Sequence, residues 1–374
     1  MLYVPVEYLR PDMVVARDIC SYPRDMHHVR LLSAGQRLTE VNILRIQANG
    51  IAGVYIRNSA ADDDMEIPEL VNEALRTKAV NEIRAVYDDF GSNCNARTIQ
   101  NRVEVLSTIS RQLVESIMGS TEVMFNMMDL KNYDDYTYRH CLSVSIYSVV
   151  TGMSMGMRVS TLEKLALSGL LHDMGKARIP RWIVNKPGKL TEEEFSIMRR
   201  HPMLGVEMFP RSTVQISPKV LLAVAQHHEQ YDGGGYPKGL KGDDISLFGR
   251  ILAAADVYDA LTSKRPYRRA LMPNEAIEHI MANSGKHFDP AVVTAFLRSV
   301  DAYPVGLCVR LSSGEQAVVV KNHKENTLRP VVRIISAGSR KGKALDLLHD
   351  SRNFNITILG VDYDGNEWNP QPTD

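Results

Sequence analysis

The sequence predicts a mainly α fold, a helical bundle flanked by a small strand-rich N-terminal module and a small β-rich C-terminal tail. Three observations carry this reading. Short β-branched runs separated by turn residues fill residues 1 to about 58. Apolar residues then recur at spacings of three and four as far as about Val300, the period of helices that bury one face. Beyond "DAYPVGLCVRL" the period drops to two, as in strands.

Each element follows in order. "DMVVARDI" and "IAGVYIR" read as strands. Between them "TEVNILRIQANG" reads as one helix, with Thr39 placed to cap its start and Gly50 its end. "NSAADDDMEIPE" is a linker with a solvated acidic run. From Pro68 to about Leu130 two long amphipathic patterns predict helices, either the wall of a bundle or a homodimer and signalling interface. From Asp134 to about Val300 helices alternate with short polar loops. "QAVVVK", "PVVRII" and "FNITILGV" are the expected strands of the tail. The expected division is a regulatory module at 1–60, a helical linker at 61–130, a catalytic bundle at 131–302 and the tail at 303–374.

Composition narrows the function. The 374 residues carry a formal net charge of zero, so a general nucleic-acid binder is not expected, and an anionic ligand must meet local positive charge. Cys20, Cys94, Cys141 and Cys308 are far apart and form no CxxC, as reduced core thiols would be. The N-terminus carries charges where a signal peptide needs an apolar stretch, and no apolar run reaches the ~20 residues of a spanning helix. A cytoplasmic protein is expected.

The chemistry-bearing residues lie in the helical segment. "LLHDMGKARIP" ends an apolar run with His172 beside Asp173, a pair that is expensive to bury without a partner. His140, His201, His227, His228 and Asp256 also sit among apolar helix formers. One such histidine is ordinarily a satisfied core residue. Five imidazoles and two carboxylates on apolar faces of one bundle instead call for cations. The donor set suits first-row divalent metals, and the missing thiolates argue against a structural zinc knot. Seven ligands exceed the needs of one ion, so at least two are expected, with Asp173 as the natural bridge. Paired metals are the standard arrangement for phosphoester hydrolysis.

Around this set lie groups suited to an anionic, base-bearing ligand. "DGGGYPKGLKGDDIS" follows His228 closely; its consecutive glycines allow close approach and positive φ, and Tyr236 can stack on a nucleobase. Lys176 lies one turn beyond the His-Asp pair and can reach a phosphate oxygen. Arg265, Arg268 and Arg269 in "DALTSKRPYRRAL" offer planar forks for phosphate or guanine.

"LLHDMGKARIP", "HHEQYDGGGYPKGL" and "ADVYDALTSKRPYR", in that order, closely resemble the HD-GYP family, a branch of the HD metal-dependent phosphohydrolases, over about Tyr133 to Leu297. The resemblance implies an all-helical HD-type bundle that hydrolyses cyclic di-GMP to pGpG and on to GMP in bacterial second-messenger signalling. It implies that His140, His172, Asp173 and Asp256 form the basic metal site, that His201, His227 and His228 serve a second metal, and that Lys176 contacts the scissile phosphate. Gly235, Tyr236 and Pro237 would form the signature loop beside the ligand, with Arg265 and Arg268 on its phosphate or guanine. Iron or manganese is the expected metal pair, with zinc, nickel or cobalt as alternatives. Relatives with three metals carry a glutamate four residues before the first histidine; here that residue is Tyr136, so two metals are expected. The N-terminal module loosely resembles one often found ahead of this domain, where signalling partners would act. The Glu-Ala-Leu tripeptide in "NEALRTK" is a chance match to an unrelated phosphodiesterase signature. The rival readings are a module that binds cyclic di-GMP or a protein without cleaving, and a phosphodiesterase for another dinucleotide.

Overall fold

A computed structural model describes residues 1–21, 29–49, 51, 53–57, 70–92, 95–119, 136–210, 214–263, 270–336 and 338–362. The described residues fall into two compact units. One combines those of 1–57 with those of 301–362; the other holds those of 70–119 and 137–300.

The first unit carries the strands. β1 (Leu2–Pro5) pairs antiparallel with β4 (Gly53–Ile56), and β2 (Ile19–Ser21) with β3 (Val29–Leu32). α1 (Glu40–Ala48) lies between β3 and β4 in sequence. Thr39 caps it in a reciprocal pair with Asn42, so the expected cap is present. Gly50 lies outside the described residues, and Asn49 is the C-cap. After residue 301 a five-stranded antiparallel sheet runs in the order β8 (Ala344–Asp346), β7 (Val331–Ile334), β6 (Gln316–Lys321), β5 (Cys308–Leu311), β9 (Ile358–Val361). The Tyr3 amide donates to the Gly306 carbonyl at 2.9 Å, tying β1 to the start of this sheet. The strands expected at "QAVVVK", "PVVRII" and "FNITILGV" are β6, β7 and β9.

The second unit is helical: α2 (Glu73–Gly91), α3 (Ala96–Gly119), α4 (Tyr136–Ser154), α5 (Val159–Leu171), α6 (Arg181–Val184), α7 (Glu192–Met198), α8 (His201–Glu207), α9 (Pro218–Gln226), α10 (Leu247–Thr262), α11 (Pro273–Ala282) and α12 (Pro290–Leu297). α5 packs against α3 and α9, and α9 against α8 and α10. α2 packs on α3 and on the 3-10 turn Met174–Arg178. The apolar stripe of α3, with Leu106, Ile109 and Leu113 fully buried, is therefore consumed inside the unit. α2 and α3 pack within the same compact unit as the histidine-bearing helices. The physical reason is the width of their apolar faces, which need a partner and find it on α5 and the Met174–Arg178 turn.

Two glycines allow the close approaches that position the site. A Cβ on Gly169 would lie 2.4 Å from Ser145 Cα, so α5 can run tight against α4 only with glycine there. A Cβ on Gly175 would lie 1.9 Å from the His201 carbonyl oxygen, so the turn after Asp173 reaches α8 for the same reason. Gly175→Ala should therefore cost roughly 1–3 kcal/mol through overpacking, as a lowered unfolding midpoint, and should reduce bound metal by displacing His201 from Asp173. An unchanged midpoint and metal content would show that the contact relaxes freely. Among the described residues no helix is long and apolar enough to cross a membrane. Cys141 and Cys308 are buried free thiols; the side chains of Cys20 and Cys94 lie outside the described residues.

Candidate metal centre

The ends of helices build this site. His172 is the C-cap of α5, His227 is the C-cap of α9, and His201 opens α8 just after α7. The last carbonyls of a helix lack intrahelical donors. Each of these imidazoles supplies one, with Nδ1 donating at 2.8 Å to the carbonyl three residues earlier: His172 to Gly169, His227 to Val224 and His201 to Met198. That bond places the proton on Nδ1 and turns the Nε2 lone pair inward.

The consequence is a cluster of acceptors. His201 Nε2 and His227 Nε2 stand 3.2 Å apart, although each ring already donates through Nδ1. Facing lone pairs at that separation repel unless a cation lies between them. His172 Nε2 and Asp173 Oδ1 are buried and have no hydrogen-bond partner among the described residues. Orphaned buried acceptors of this kind are costly, and a bound cation removes the cost.

Asp173 joins two sets of ligands. Its Oδ2 lies 3.7 Å from His140 Nε2 and 3.5 Å from His172 Nε2. Its Oδ1 lies 3.3 Å from His201 Nε2 and 3.8 Å from His227 Nε2. Two groups of metal-competent atoms result, one of His140, His172 and Asp173, the other of Asp173, His201, His227 and His228, with Asp173 common to both. Asp256, from the middle of α10, lies 3.0 Å from His140 Nε2 and 3.8 Å from His228 Nδ1. The buried His/Asp cluster thus has the donor set and convergence of a metal site.

Protonation follows the same logic. Burial, reinforced by neighbouring imidazoles, lowers His227 well below its usual value and lowers His172. Burial brings His228 to about 3 despite the nearby Asp256 carboxylate. These rings are neutral, the form that binds metal. For Asp173 burial opposes ionisation, but the nearby Lys176 ammonium leads the effects that outweigh it and hold the carboxyl well below the usual range. His140 differs: burial opposes its charge, yet hydrogen bonds to Asp256 and Asp259 raise it to about 9, so this corner also calls for a cation.

Asp259 was not legible as a site residue. It is buried one turn after Asp256 on α10, and its Oδ2 accepts from His140 Nδ1 at 2.7 Å. The available signal was the Asp-x-x-Asp spacing in "ADVYDAL", which puts both carboxylates on one helix face. Asp259→Asn should weaken metal binding about 10–100-fold, the usual cost of losing a carboxylate behind a ligating histidine. A chelator competition titration would detect this, and unchanged affinity would reduce Asp259 to a packing role.

The glycine-rich loop is tied to the centre by its backbone. The Tyr236 amide donates to the His228 carbonyl at 3.1 Å. Glu229, which sequence reading also missed, is buried and accepts from the amides of Lys238 at 2.8 Å and Leu240 at 3.0 Å. The two uses expected of the glycines fall on different residues. Gly233 takes a positive φ of 92°, whereas a Cβ on Gly235 would lie 2.2 Å from the Gln230 amide nitrogen. One face of the Tyr236 ring stacks on His228, with centroids 4.8 Å apart and planes at 24°. Arg199 and Phe195 lie beside the same ring. Pro237 is exposed, joined to Tyr236 by a cis bond. Lys176, about a quarter exposed, directs its ammonium at Asp173 Oδ2. Arg265 and Arg268 lie outside the described residues, as does the side chain of Tyr136, on which the choice between two and three metals turned.

Comparison with known proteins agrees with this geometry. The HD domain family matches residues 99–292, and a KOW domain associated with HD domains matches 308–359. The chain is 39% identical over 235 residues to a cyclic di-GMP phosphodiesterase of Pseudomonas aeruginosa, covering 63% of this chain and 56% of that protein. It is 35% identical over 248 residues to a cyclic di-GMP phosphodiesterase of Thermotoga maritima, covering 64% and 66%. It is 37% identical over 185 residues to a 3'3'-cGAMP-specific phosphodiesterase of Vibrio cholerae, covering 49% and 35%. The chain therefore spans between 35% and 66% of the length of these relatives. The family match contains every residue of the five-histidine cluster, and the chain belongs to the HD domain family, related to its HD-GYP cyclic di-GMP phosphodiesterases.

Proposed function

We propose that this protein is a metal-dependent phosphodiesterase that opens cyclic di-GMP to pGpG, and on to GMP. The observation that carries the reading is the Asp173 carboxylate, whose two oxygens face two separate sets of imidazole nitrogens. A shared carboxylate between two ligand sets is what a metal pair for phosphoryl transfer needs. His140, His172, Asp173 and Asp256 would hold one divalent ion, and Asp173, His201, His227 and His228 the other. Iron or manganese suits this nitrogen and oxygen donor set, with zinc, nickel or cobalt as alternatives.

Bound divalent ions supply Lewis-acid stabilisation of the phosphoryl oxygens and activate water near neutral pH. The chain's own residues do the rest. Lys176 lies at the rim with its ammonium beside Asp173 and supplies positive charge to a non-bridging phosphate oxygen. Asp259 fixes the His140 ring. The Glu229 clamp and the close approach at Gly235 hold the loop so that Tyr236 buttresses His228. Arg265 and Arg268 hold the guanine edge or the second phosphate.

The test is metal per chain and nucleotide products on anaerobically purified protein, with cyclic di-GMP and 3'3'-cGAMP supplied separately. Two metals with pGpG or GMP from cyclic di-GMP support the proposal. Cleavage of 3'3'-cGAMP alone would move the substrate to the second dinucleotide, consistent with the similarity to the Vibrio cholerae protein. A fully metallated protein that leaves both intact would make it a binding module.

A further inference from the structure

A second set of metal-competent side chains lies in the other compact unit. His323 follows β6 by two residues, Asp346 ends β8, and His349 lies in the turn beyond it. These strands are not neighbours, since β7 separates them in the sheet. Even so, one nitrogen or oxygen from each residue falls within 4.8 Å of the others. His323 Nε2 lies 3.0 Å from Asp346 Oδ1, and His349 Nδ1 lies 3.4 Å from Asp346 Oδ2. The two imidazoles meet edge to face with centroids 4.5 Å apart.

We propose that His323, Asp346 and His349 form a binding site for one divalent transition ion, of the zinc, cobalt or nickel type, separate from the five-histidine centre. The spacing is the first argument. With bonds of about 2.1 Å, neighbouring ligands on one octahedral or tetrahedral ion stand about 3.0–3.4 Å apart, and the separations of the two imidazole nitrogens from the Asp346 carboxylate oxygens, 3.0 Å and 3.4 Å, fall in that range. Preorganisation is the second. The amides of Leu348 and His349 both donate to Asp346 Oδ1 at 2.9 Å, so the carboxylate is held in place by backbone. His323 is buried to nine-tenths. A turn cap alone requires the carboxylate and the two amides; it gives no reason for two imidazoles to converge on the same group. The donor set of two nitrogens and one oxygen suits borderline cations rather than calcium or magnesium. His349 has about three-fifths of its side chain exposed, so the ion would keep a solvent-facing position while tying the β6–β7 connection to the end of β8.

The experiment uses the full chain, stripped with chelator and titrated with zinc, with bound metal counted after dialysis. His349→Ala is the deciding variant, because an exposed side chain can be removed without disturbing the core. The wild type should bind one more ion than His349→Ala, or bind its weakest ion at least tenfold more tightly. The two proteins should unfold at the same midpoint in chelator, and only the wild type should gain stability on adding zinc. The same difference should persist in an Asp173→Ala background, where the five-histidine centre is disabled, so the two sites are read separately. Equal zinc number and affinity in wild type and His349→Ala would overturn the proposal, whatever the state of the five-histidine centre.

Discussion

Asp173→Asn should empty the five-histidine centre and abolish turnover together. The carboxylate is the common member of both ligand groups, and its two oxygens face imidazoles on α4, α5, α8 and α9. Removing its charge takes away the one carboxylate common to both ligand groups, a change worth several kcal/mol of binding. Metal analysis of the purified variant should show both sites depleted, and hydrolysis of cyclic di-GMP should fall below detection. A variant that keeps two metals would sink the bridging assignment. A variant that loses one would confine Asp173 to a single ion.

The second large effect is expected at Lys176, and it should separate the two quantities that Asp173 couples. Its ammonium pairs with Asp173 in the described geometry but stays about a quarter exposed at the rim. Lys176→Ala should keep the metal content and lower kcat by about 10²–10³-fold, the usual cost of removing one preorganised charge from a developing oxyanion. Depleted metal in Lys176→Ala would show instead that the lysine acts by balancing Asp173. Full turnover with full metal would remove it from the reaction altogether.

The particular residues show how far the sequence reached. His140, His172, His201, His227, His228, Asp173 and Asp256 were legible because each is a polar residue placed where helix periodicity demands an apolar face. The structure brings all seven together in one buried cluster consistent with a metal site. Thr39 and the strands of the tail were legible for a similar reason, since capping and alternation are local. Asp259 was not legible, because its partner His140 lies 119 residues away and nothing in "ADVYDAL" names it. Gly175 was not legible either, because its constraint is the carbonyl of His201 on another helix. The amphipathic stripes of α2 and α3 were visible, yet a stripe does not state what covers it; here the partner is within the same unit. Tyr236 was read as a nucleobase platform, whereas one of its faces is already taken by His228.

By itself the sequence determined the classes of element, the buried histidines and aspartates that stand out on apolar faces and the order of the motifs, because each follows from the local period and the side-chain chemistry. Only the tertiary structure decided which atoms of those residues face one another, which carboxylate orients His140, and that His323 and His349 converge on Asp346. Those facts depend on helices and strands distant in the chain packing to within hydrogen-bonding reach. The contacts are selected by the shapes of buried faces rather than by any residue's neighbours in sequence.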